Sequence, residues 1–209
     1  MTLPPVYPLL DTAALTRTRS CLRDAAQALI EGGAGILQLR HNGHWSRAFY
    51  EEAAWIGERC RAQGIMWVVN DRADAAAILR AGLHVGQDDL PPNLVRALIG
   101  DQIIGFSTHN ASQLEAADET ADYLALGPIF GTQSKENPDP VVGTDNLRRW
   151  RKLTAKPLVA IGGITREAAP EVWEAGADSV AVIGDLYPEG ASSTRIRERM
   201  EAWRRLARN

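Results

Sequence analysis

Two short acidic signatures stand out among the residues that could do chemistry. They are Asn70-Asp71-Arg72 and Gly86-Gln87-Asp88-Asp89, and each follows a short apolar run. Proteins usually hold Mg²⁺ through one or two carboxylates together with substrate phosphates. Asp71 and Asp89 therefore predict a metal site in an enzyme that handles phosphates. Helix N-capping is the alternative for each aspartate taken alone.

Further polar residues end other apolar runs. Gln38 and Arg40 lie two positions apart, so alternation along a strand places them on the same side. A guanidinium there could hold a phosphate or carboxylate in bidentate fashion, or pair with an acid such as Asp71. Ser107 and His109 follow the fifth run. His109 could act as a general acid or base, although a structural hydrogen bond is the favoured interpretation.

Two later segments offer groups for binding anionic oxygens. Thr132, Ser134 and Lys135 supply two hydroxyls and an ammonium within four residues. Gly162-Gly163 and Gly184 follow the last two apolar runs, where backbone N–H groups can approach a ligand closely. This matches the phosphate site that barrels often build after strands seven and eight. Simple turn formation is the alternative for the glycines.

The elements that must position these residues alternate between strand and helix patterns. The predicted strands are Val6–Leu10, Gly35–Leu39, Met66–Val69, Leu83–Val85, Ile103–Ser107, Tyr123–Leu126, Leu158–Ile161 and Ser179–Ile183. Predicted helices between them include Leu22–Glu31, Trp45–Gln63, Pro92–Ile99, Ala111–Glu119, Thr144–Leu153 and Arg166–Ala175. Eight such repeats predict an α/β fold, a (β/α)₈ TIM barrel with the polar residues at its strand ends. An open doubly wound sheet is the alternative.

Length and composition narrow the class of protein. A chain of 209 residues and 22.8 kDa predicts a single barrel domain over residues 1–209, with a closing C-terminal helix over Thr194–Arg208. A net charge of −3 predicts no nucleic-acid or anionic membrane partner. The first ten residues lack a signal-peptide pattern, and no run of 18 apolar residues occurs, so we expect a cytoplasmic protein. Homo-oligomer formation stays open.

The ordered motifs resemble the thiamine phosphate synthase family from about Tyr7 to Leu186. Each motif is weak alone, but seven in the family's order and spacing are specific. The motifs are Gln38-Leu39-Arg40, Asn70-Asp71-Arg72, Gly86-Gln87-Asp88-Asp89, Gly105-Phe106-Ser107-Thr108-His109, Gly127-Pro128-Ile129-Phe130, Thr132-Gln133-Ser134-Lys135 and Ala160-Ile161-Gly162-Gly163-Ile164.

The resemblance implies a transferase acting on small phosphorylated substrates. It would join 4-amino-2-methyl-5-hydroxymethylpyrimidine diphosphate to 4-methyl-5-(2-phosphoethyl)thiazole, or its carboxylated form, with Mg²⁺-assisted departure of diphosphate. The implied catalytic residues are Arg40, Ser107 and Lys135, and Asp71 and Asp89 would hold Mg²⁺. The pyrimidine diphosphate would contact Gln38, Arg40, Asn70, Ser107 and Lys135, and the thiazole phosphate would contact Thr132, Gln133, Ser134, Gly163, Ile183 and Gly184.

This chain departs from the family pattern at one substrate-binding position. The family reads Gln-x-Arg-x-Lys where this chain has Asn42 in place of the lysine. Losing a charged hydrogen bond costs about 1.5–3 kcal/mol, and His41 or His44 could replace the cation in part. Two smaller departures, Ser134 for threonine and Gly184 for serine, keep a hydroxyl and a backbone donor.

Two other functions compete with the synthase. A thiazole tautomerase, an isomerase that shares the barrel and the thiazole phosphate site, lacks the metal carboxylates and would use His109 to move protons. A non-catalytic barrel that binds thiazole or thiamine phosphate is the second alternative, supported by Asn42. Because Asp71, Asp89 and Lys135 are all present, the synthase is favoured.

Overall fold

Eight parallel strands close into a barrel in the order of the chain. This computed structural model describes residues 1–117, 119–131 and 139–207. The predicted (β/α)₈ barrel is therefore confirmed, and the open doubly wound sheet is excluded. The strands are β1 Val6–Asp11, β2 Ile36–Arg40, β3 Met66–Asn70, β4 Gly82–Val85, β5 Ile104–Thr108, β6 Tyr123–Leu126, β7 Leu158–Ile161 and β8 Ser179–Val182.

Helices follow the strands and cover the outside of the barrel. Serine caps begin two of them, since Ser46 Oγ accepts from Phe49 N (3.2 Å) and Ser192 Oγ accepts from Arg195 N (3.3 Å). The helices are α1 Thr12–Thr18, α2 Leu22–Glu31, α3 Arg47–Ala62, α4 Ala73–Leu79, α5 Pro92–Ile99, α6 Ala111–Glu115, α7 Gly143–Trp150, α8 Ala169–Glu174 and α9 Ser193–Leu206, with 3₁₀ turns at Arg151–Leu153 and Gly184–Leu186. Within the described ranges, none of these helices is long and apolar enough to cross a membrane.

Alternation along the strands sorts their side chains into two apolar clusters. Residues such as Leu10, Leu37 and Leu39 pack between the barrel and the helices. Residues such as Leu9 and Val68 form a second cluster inside the barrel. Both faces of most strands are buried, which is why the strands read as continuous apolar runs in the sequence.

The last helix packs against α2 and is tied to the final strand. Its apolar stripe is buried at Ile196, Met200 and Trp203, as the amphipathic pattern predicts. The Trp203 indole Nε1 donates to Asp185 Oδ2 (2.8 Å), and Arg166 Nε lies 3.0 Å from the same oxygen. Asp185 therefore links α9 to the segment that follows β7.

Candidate active site

The carboxyl ends of the strands bring the predicted polar residues to one face of the barrel. Arg40 ends β2 and Asn70 ends β3, while Ser107 is the penultimate residue of β5. In the register, Arg40 lies opposite Asp11 of β1, and Asn70 lies opposite His84 of β4. Catalytic groups of (β/α)₈ enzymes come from this face.

Asp71 and Asp89 face each other beside this strand end. Asp71 has a left-handed backbone conformation, with φ of 63°, and its N–H donates to His84 O (2.8 Å). Burial, followed by the nearby Asp89 carboxyl group, raises the pKa of Asp71 to about 7, although Arg40 and Asn70 oppose the rise. Two carboxyl groups in hydrogen-bonding contact, one with a strongly raised pKa, lack a compensating positive charge at close range.

Neither aspartate serves as a helix cap. The N-cap position of α4 is Arg72 and that of α5 is Pro91. Asp89 Oδ2 instead accepts from Gly86 N (2.7 Å) within the turn after β4. The capping alternative is therefore wrong for both residues, and their placement needs another explanation.

The paired carboxylates fit a hard divalent cation. Such an ion would remove the repulsion that raises the Asp71 pKa, and it takes oxygen ligands of this kind. Among the described residues, no group of three or more His, Cys, Asp or Glu side chains could hold a metal ion. Two carboxylates leave coordination positions for phosphate oxygens and water, which is the usual arrangement for Mg²⁺.

Arg40 is held by an acid that the sequence analysis did not identify. Its Nη1 donates to Asp11 Oδ2 (2.7 Å), while Asp11 Oδ1 accepts from Ala14 N (2.7 Å) and caps α1. The Asp11 side chain is 5% exposed and that of Arg40 is 23% exposed. The guanidinium is thus fixed on one side and accessible on the other, which suits a group that binds an anion.

A chain of buried hydrogen bonds runs below the strand ends and was also missed. Its members come from β1, β2, β4, β5 and β6. The contacts are Gln38 Nε2 to Tyr7 Oη (3.0 Å), Tyr7 Oη to Tyr123 Oη (2.8 Å), Tyr123 Oη to His84 Nδ1 (3.0 Å) and His84 Nε2 to Ser107 Oγ (2.9 Å). We call these five side chains the core relay. Its two ends, Gln38 and Ser107, are both predicted substrate-binding residues.

Burial keeps the middle of the core relay uncharged. It lowers the pKa of His84 to about 4 and raises the pKa values of Tyr7 and Tyr123 above their usual value. The sequence carried one signal for this network, since His84 interrupts the apolar run of β4. The two tyrosines resembled ordinary strand residues.

His109 makes structural contacts. Its Nδ1 lies 2.7 Å from Gly127 O, and its backbone N–H donates to Gln113 Oε1 (2.7 Å). The same Nδ1 lies 3.5 Å from Asp139 Oδ2. The favoured interpretation of His109 as a hydrogen-bonding residue agrees with these contacts.

The residues after β7 and β8 differ in how tightly they are packed. Gly163 has a φ of 65°, and a Cβ there would clash with Gly131 O, so only glycine is accommodated well. Gly184 has open space around it, so the serine of the family pattern would fit. Ile183 is partly buried against the interior cluster. These three predicted phosphate-site residues lie after neighbouring strands.

The segment around Asn42 contains an aromatic cluster. His41 stacks on Phe49 with centroids 3.8 Å apart, and Trp45 meets Phe49 edge-on at 5.0 Å. The His41 ring also contacts Thr12 Oγ1 through Nδ1 (2.9 Å). Because stacking and this contact hold His41 in place, the ring is committed to structure, and it is a poor replacement for the missing lysine. Asn42 itself is exposed.

Four predicted site residues lie outside the described residues. They are the hydroxyl, amide and ammonium groups expected to bind the two substrates after β6, namely Thr132, Gln133, Ser134 and Lys135. The described residues therefore account for the carboxylates, Arg40, Ser107 and the two glycines of the predicted site.

Comparison with known proteins agrees with this geometry. A family model described as thiamine monophosphate synthase matches residues 6–186. A thiamine-phosphate synthase from Koribacter versatilis is 49% identical over 189 residues, which cover 88% of this chain and 89% of the relative. One from Chloroflexus aurantiacus is 44% identical over 173 residues, covering 82% and 80%. A solved thiamine phosphate pyrophosphorylase from Pyrococcus furiosus has a TM-score of 0.84 and 28% identity, covering 98% and 96%. This chain therefore belongs to the thiamine monophosphate synthase family.

Proposed function

We propose that this protein is a transferase that makes thiamine phosphate. It joins 4-amino-2-methyl-5-hydroxymethylpyrimidine diphosphate to 4-methyl-5-(2-phosphoethyl)thiazole, or the carboxylated thiazole, and releases diphosphate. The observation that carries this proposal is the facing pair Asp71 and Asp89, with Arg40 close enough to lower the Asp71 pKa, at the strand ends of a family-matched barrel.

The reaction breaks one C–O bond and forms one C–N bond. The bond between the pyrimidine methylene carbon and diphosphate breaks first, and the electron pair leaves with the diphosphate. The thiazole nitrogen then donates its lone pair to the resulting carbocation. No general base is required at these atoms, so the main demand on the protein is stabilisation of the departing negative charge.

The residues of this chain divide that work. Arg40 donates to diphosphate oxygens, and Ser107 and Asn70 hold the pyrimidine diphosphate beside it. Lys135 supplies a second cation. Thr132, Gln133, Ser134, Gly163, Ile183 and Gly184 bind the thiazole phosphate.

We further propose that Asp71 and Asp89 hold Mg²⁺ together with diphosphate oxygens. When bound, the ion supplies charge stabilisation to the leaving group. Asp71 must lose its proton to act as a ligand, and its raised pKa shows that the unloaded site resists this loss.

The tautomerase alternative predicts a different importance for His109. If the protein is the synthase, His109→Ala should lower kcat by less than about fivefold, because only a structural hydrogen bond to Gly127 O is lost. The rate of thiamine phosphate formation by the purified variant checks this expectation. A loss beyond about a hundredfold, with the fold intact by circular dichroism, would instead support proton transfer by His109.

Asn42→Lys should increase the rate. A lysine would restore the cation of the family pattern near the diphosphate, and a charged hydrogen bond used in the transition state is worth about tenfold or more. The comparison is kcat for wild type and variant, with Asn42→Met as the control for an uncharged side chain of similar reach. If the lysine and methionine variants behave alike, a missing cation does not limit this enzyme.

We also propose that residues 1–209 form one domain closed by α9, and that the protein acts in the cytoplasm on small phosphorylated substrates. Incubation of the purified protein with both substrates tests the function directly. Thiamine phosphate and diphosphate should appear in equal amounts. Isomerised thiazole without diphosphate release would indicate the tautomerase, and bound thiazole phosphate without any reaction would indicate the non-catalytic barrel.

A further inference from the structure

We infer that Tyr7, Tyr123 and His84 are positioning residues that orient the Ser107 hydroxyl through the core relay. The inference deepens the proposed function, since Ser107 and Gln38 belong to the predicted pyrimidine diphosphate site. The relay is continuous, with four contacts of 2.8–3.0 Å between side chains from five strands. These three residues reach the site through its terminal members.

Packing shows that the centre of the relay is tightly built. Gly105 of β5 lies against it, and a Cβ at that position would collide with the Tyr123 ring and with His84 Nδ1. Gly105 therefore provides the space in which tyrosine and imidazole meet. Tyr7, Tyr123 and His84 are each at most 8% exposed, so each polar atom depends on its relay neighbours for hydrogen bonds.

The direction of the relay follows from its first member. Gln38 presents Nε2 to Tyr7 Oη, and an amide nitrogen can only donate. The Tyr7 O–H is then directed to Tyr123 Oη, and the Tyr123 O–H to His84 Nδ1. A neutral His84 that accepts at Nδ1 carries its proton on Nε2, which donates to Ser107 Oγ.

The other tautomer of His84 satisfies the network less well. With the proton on Nδ1, His84 would donate to Tyr123, and Tyr123 would donate to Tyr7. Tyr7 Oη would then accept from both Gln38 and Tyr123, and its own O–H would be buried without an acceptor among these residues. A buried unsatisfied donor is costly, so the Nε2–H tautomer is the stable one.

The consequence is a fixed role for the Ser107 proton. Because Ser107 Oγ accepts from His84, its own O–H is left to point away from the relay and toward the site. Ser107 is partly exposed, so this proton can reach a diphosphate oxygen. The relay thus holds Ser107 as a donor to an anionic substrate, at the point where charge develops.

The first arm of the test observes the tautomer directly. Nitrogen-15 NMR of the intact protein labelled in histidine should show His84 with a protonated Nε2 and an unprotonated Nδ1. The His84 signals are assigned by their loss in His84→Asn. A protonated Nδ1 in the wild type would overturn the proposal, because Gln38 would then present its oxygen to Tyr7 and the whole relay would run in reverse.

The second arm is a double-mutant cycle between Tyr123 and Ser107. Tyr123→Phe removes the donor to Nδ1, so Ser107 is free to turn its own proton to His84. We expect kcat to fall by about 10- to 100-fold, the value of one charge-assisted hydrogen bond. In a Ser107→Ala background, the same change should cost less than about twofold, since the proton it misdirects is absent.

Tyr187→Phe is the matched control. Tyr187 is also buried and donates one hydrogen bond, to Leu9 O (2.9 Å), outside the relay. Tyr187→Phe should lower the melting temperature by a similar amount and leave kcat within about twofold of wild type. Equal losses of kcat from Tyr123→Phe in both backgrounds would overturn the proposal. Tyr7→Phe provides a second variant for the same cycle if Tyr123→Phe does not fold.

The two arms separate this inference from the proposed function. If the wild type makes no thiamine phosphate, the function is wrong, but the tautomer measured by NMR still decides the direction of the relay. If the wild type is active and the cycle is additive, the function stands and the relay serves the fold alone.

Discussion

Replacing Asp71 or Asp89 by alanine is expected to lower the Mg²⁺-dependent rate of thiamine phosphate formation by about three orders of magnitude. Each change removes one of the two carboxylates that face each other at the ends of β3 and β4. Without the pair, the protein retains one charged oxygen ligand, and the ion loses its fixed position beside the leaving diphosphate. The measurement is kcat at saturating Mg²⁺ for each purified variant.

Asp88→Ala is the matched control for these variants. Asp88 lies in the same turn as Asp89 and is exposed, so we expect its removal to change kcat by less than about twofold. All three variants should keep the circular dichroism spectrum of the wild type. Wild-type activity in both Asp71→Ala and Asp89→Ala would remove the basis for the metal assignment.

The raised Asp71 pKa gives this prediction a pH dependence. Mg²⁺ binds the ionised carboxylate, and the pKa of Asp71 in the folded protein is about 7. The apparent affinity for Mg²⁺, measured by calorimetry, should therefore weaken as the pH falls through 7 and level off above it. Asp71→Asn should weaken binding and abolish this dependence on pH.

Arg40→Ala is expected to lower kcat by about a hundredfold. The guanidinium makes charge-assisted hydrogen bonds to the diphosphate in the proposed reaction, and such bonds strengthen as charge develops on the leaving group. The change also leaves the buried Asp11 carboxylate without its cation, which should reduce the free energy of unfolding by about 1–3 kcal/mol.

A second substitution separates the two effects of Arg40→Ala. Asp11→Asn removes the charge left unpaired and keeps an oxygen to cap α1 through Ala14 N. The double variant should regain stability in urea unfolding without regaining kcat. Recovery of kcat together with stability would mean that Arg40 supports the fold and does not contact diphosphate.

The sequence was sufficient for the barrel and for the residues at its strand ends. Each strand is a short apolar run, and the polar residue that follows it marks the carboxyl end, as at Asp71. Tyr123–Leu126 and Leu158–Ile161 match the observed strands, and the other strand limits differ by one residue at one or both ends. Helix α6 ends at Glu115, earlier than predicted. Two helices of seven residues, α1 and α4, were not singled out because so short a segment shows little periodicity.

The core relay could not be derived in the same way. Tyr7 and Tyr123 are 116 positions apart, and only closure of the barrel brings their hydroxyl groups within hydrogen-bonding distance. Within a strand, each tyrosine fits the apolar pattern as well as leucine does. Asp11 was overlooked for a related reason, since it falls at the boundary between β1 and α1, where an acid resembles an ordinary cap.

One measurement tests the central claim most directly: formation of thiamine phosphate from the pyrimidine diphosphate and the thiazole phosphate, by the purified protein, with Mg²⁺ and after its removal with a chelator. We predict product and diphosphate in equal amounts with Mg²⁺, and loss of both without it. Product formation that persists without any divalent ion would contradict the role given to Asp71 and Asp89. No product under either condition, from a folded protein that binds the thiazole phosphate, would contradict the synthase itself.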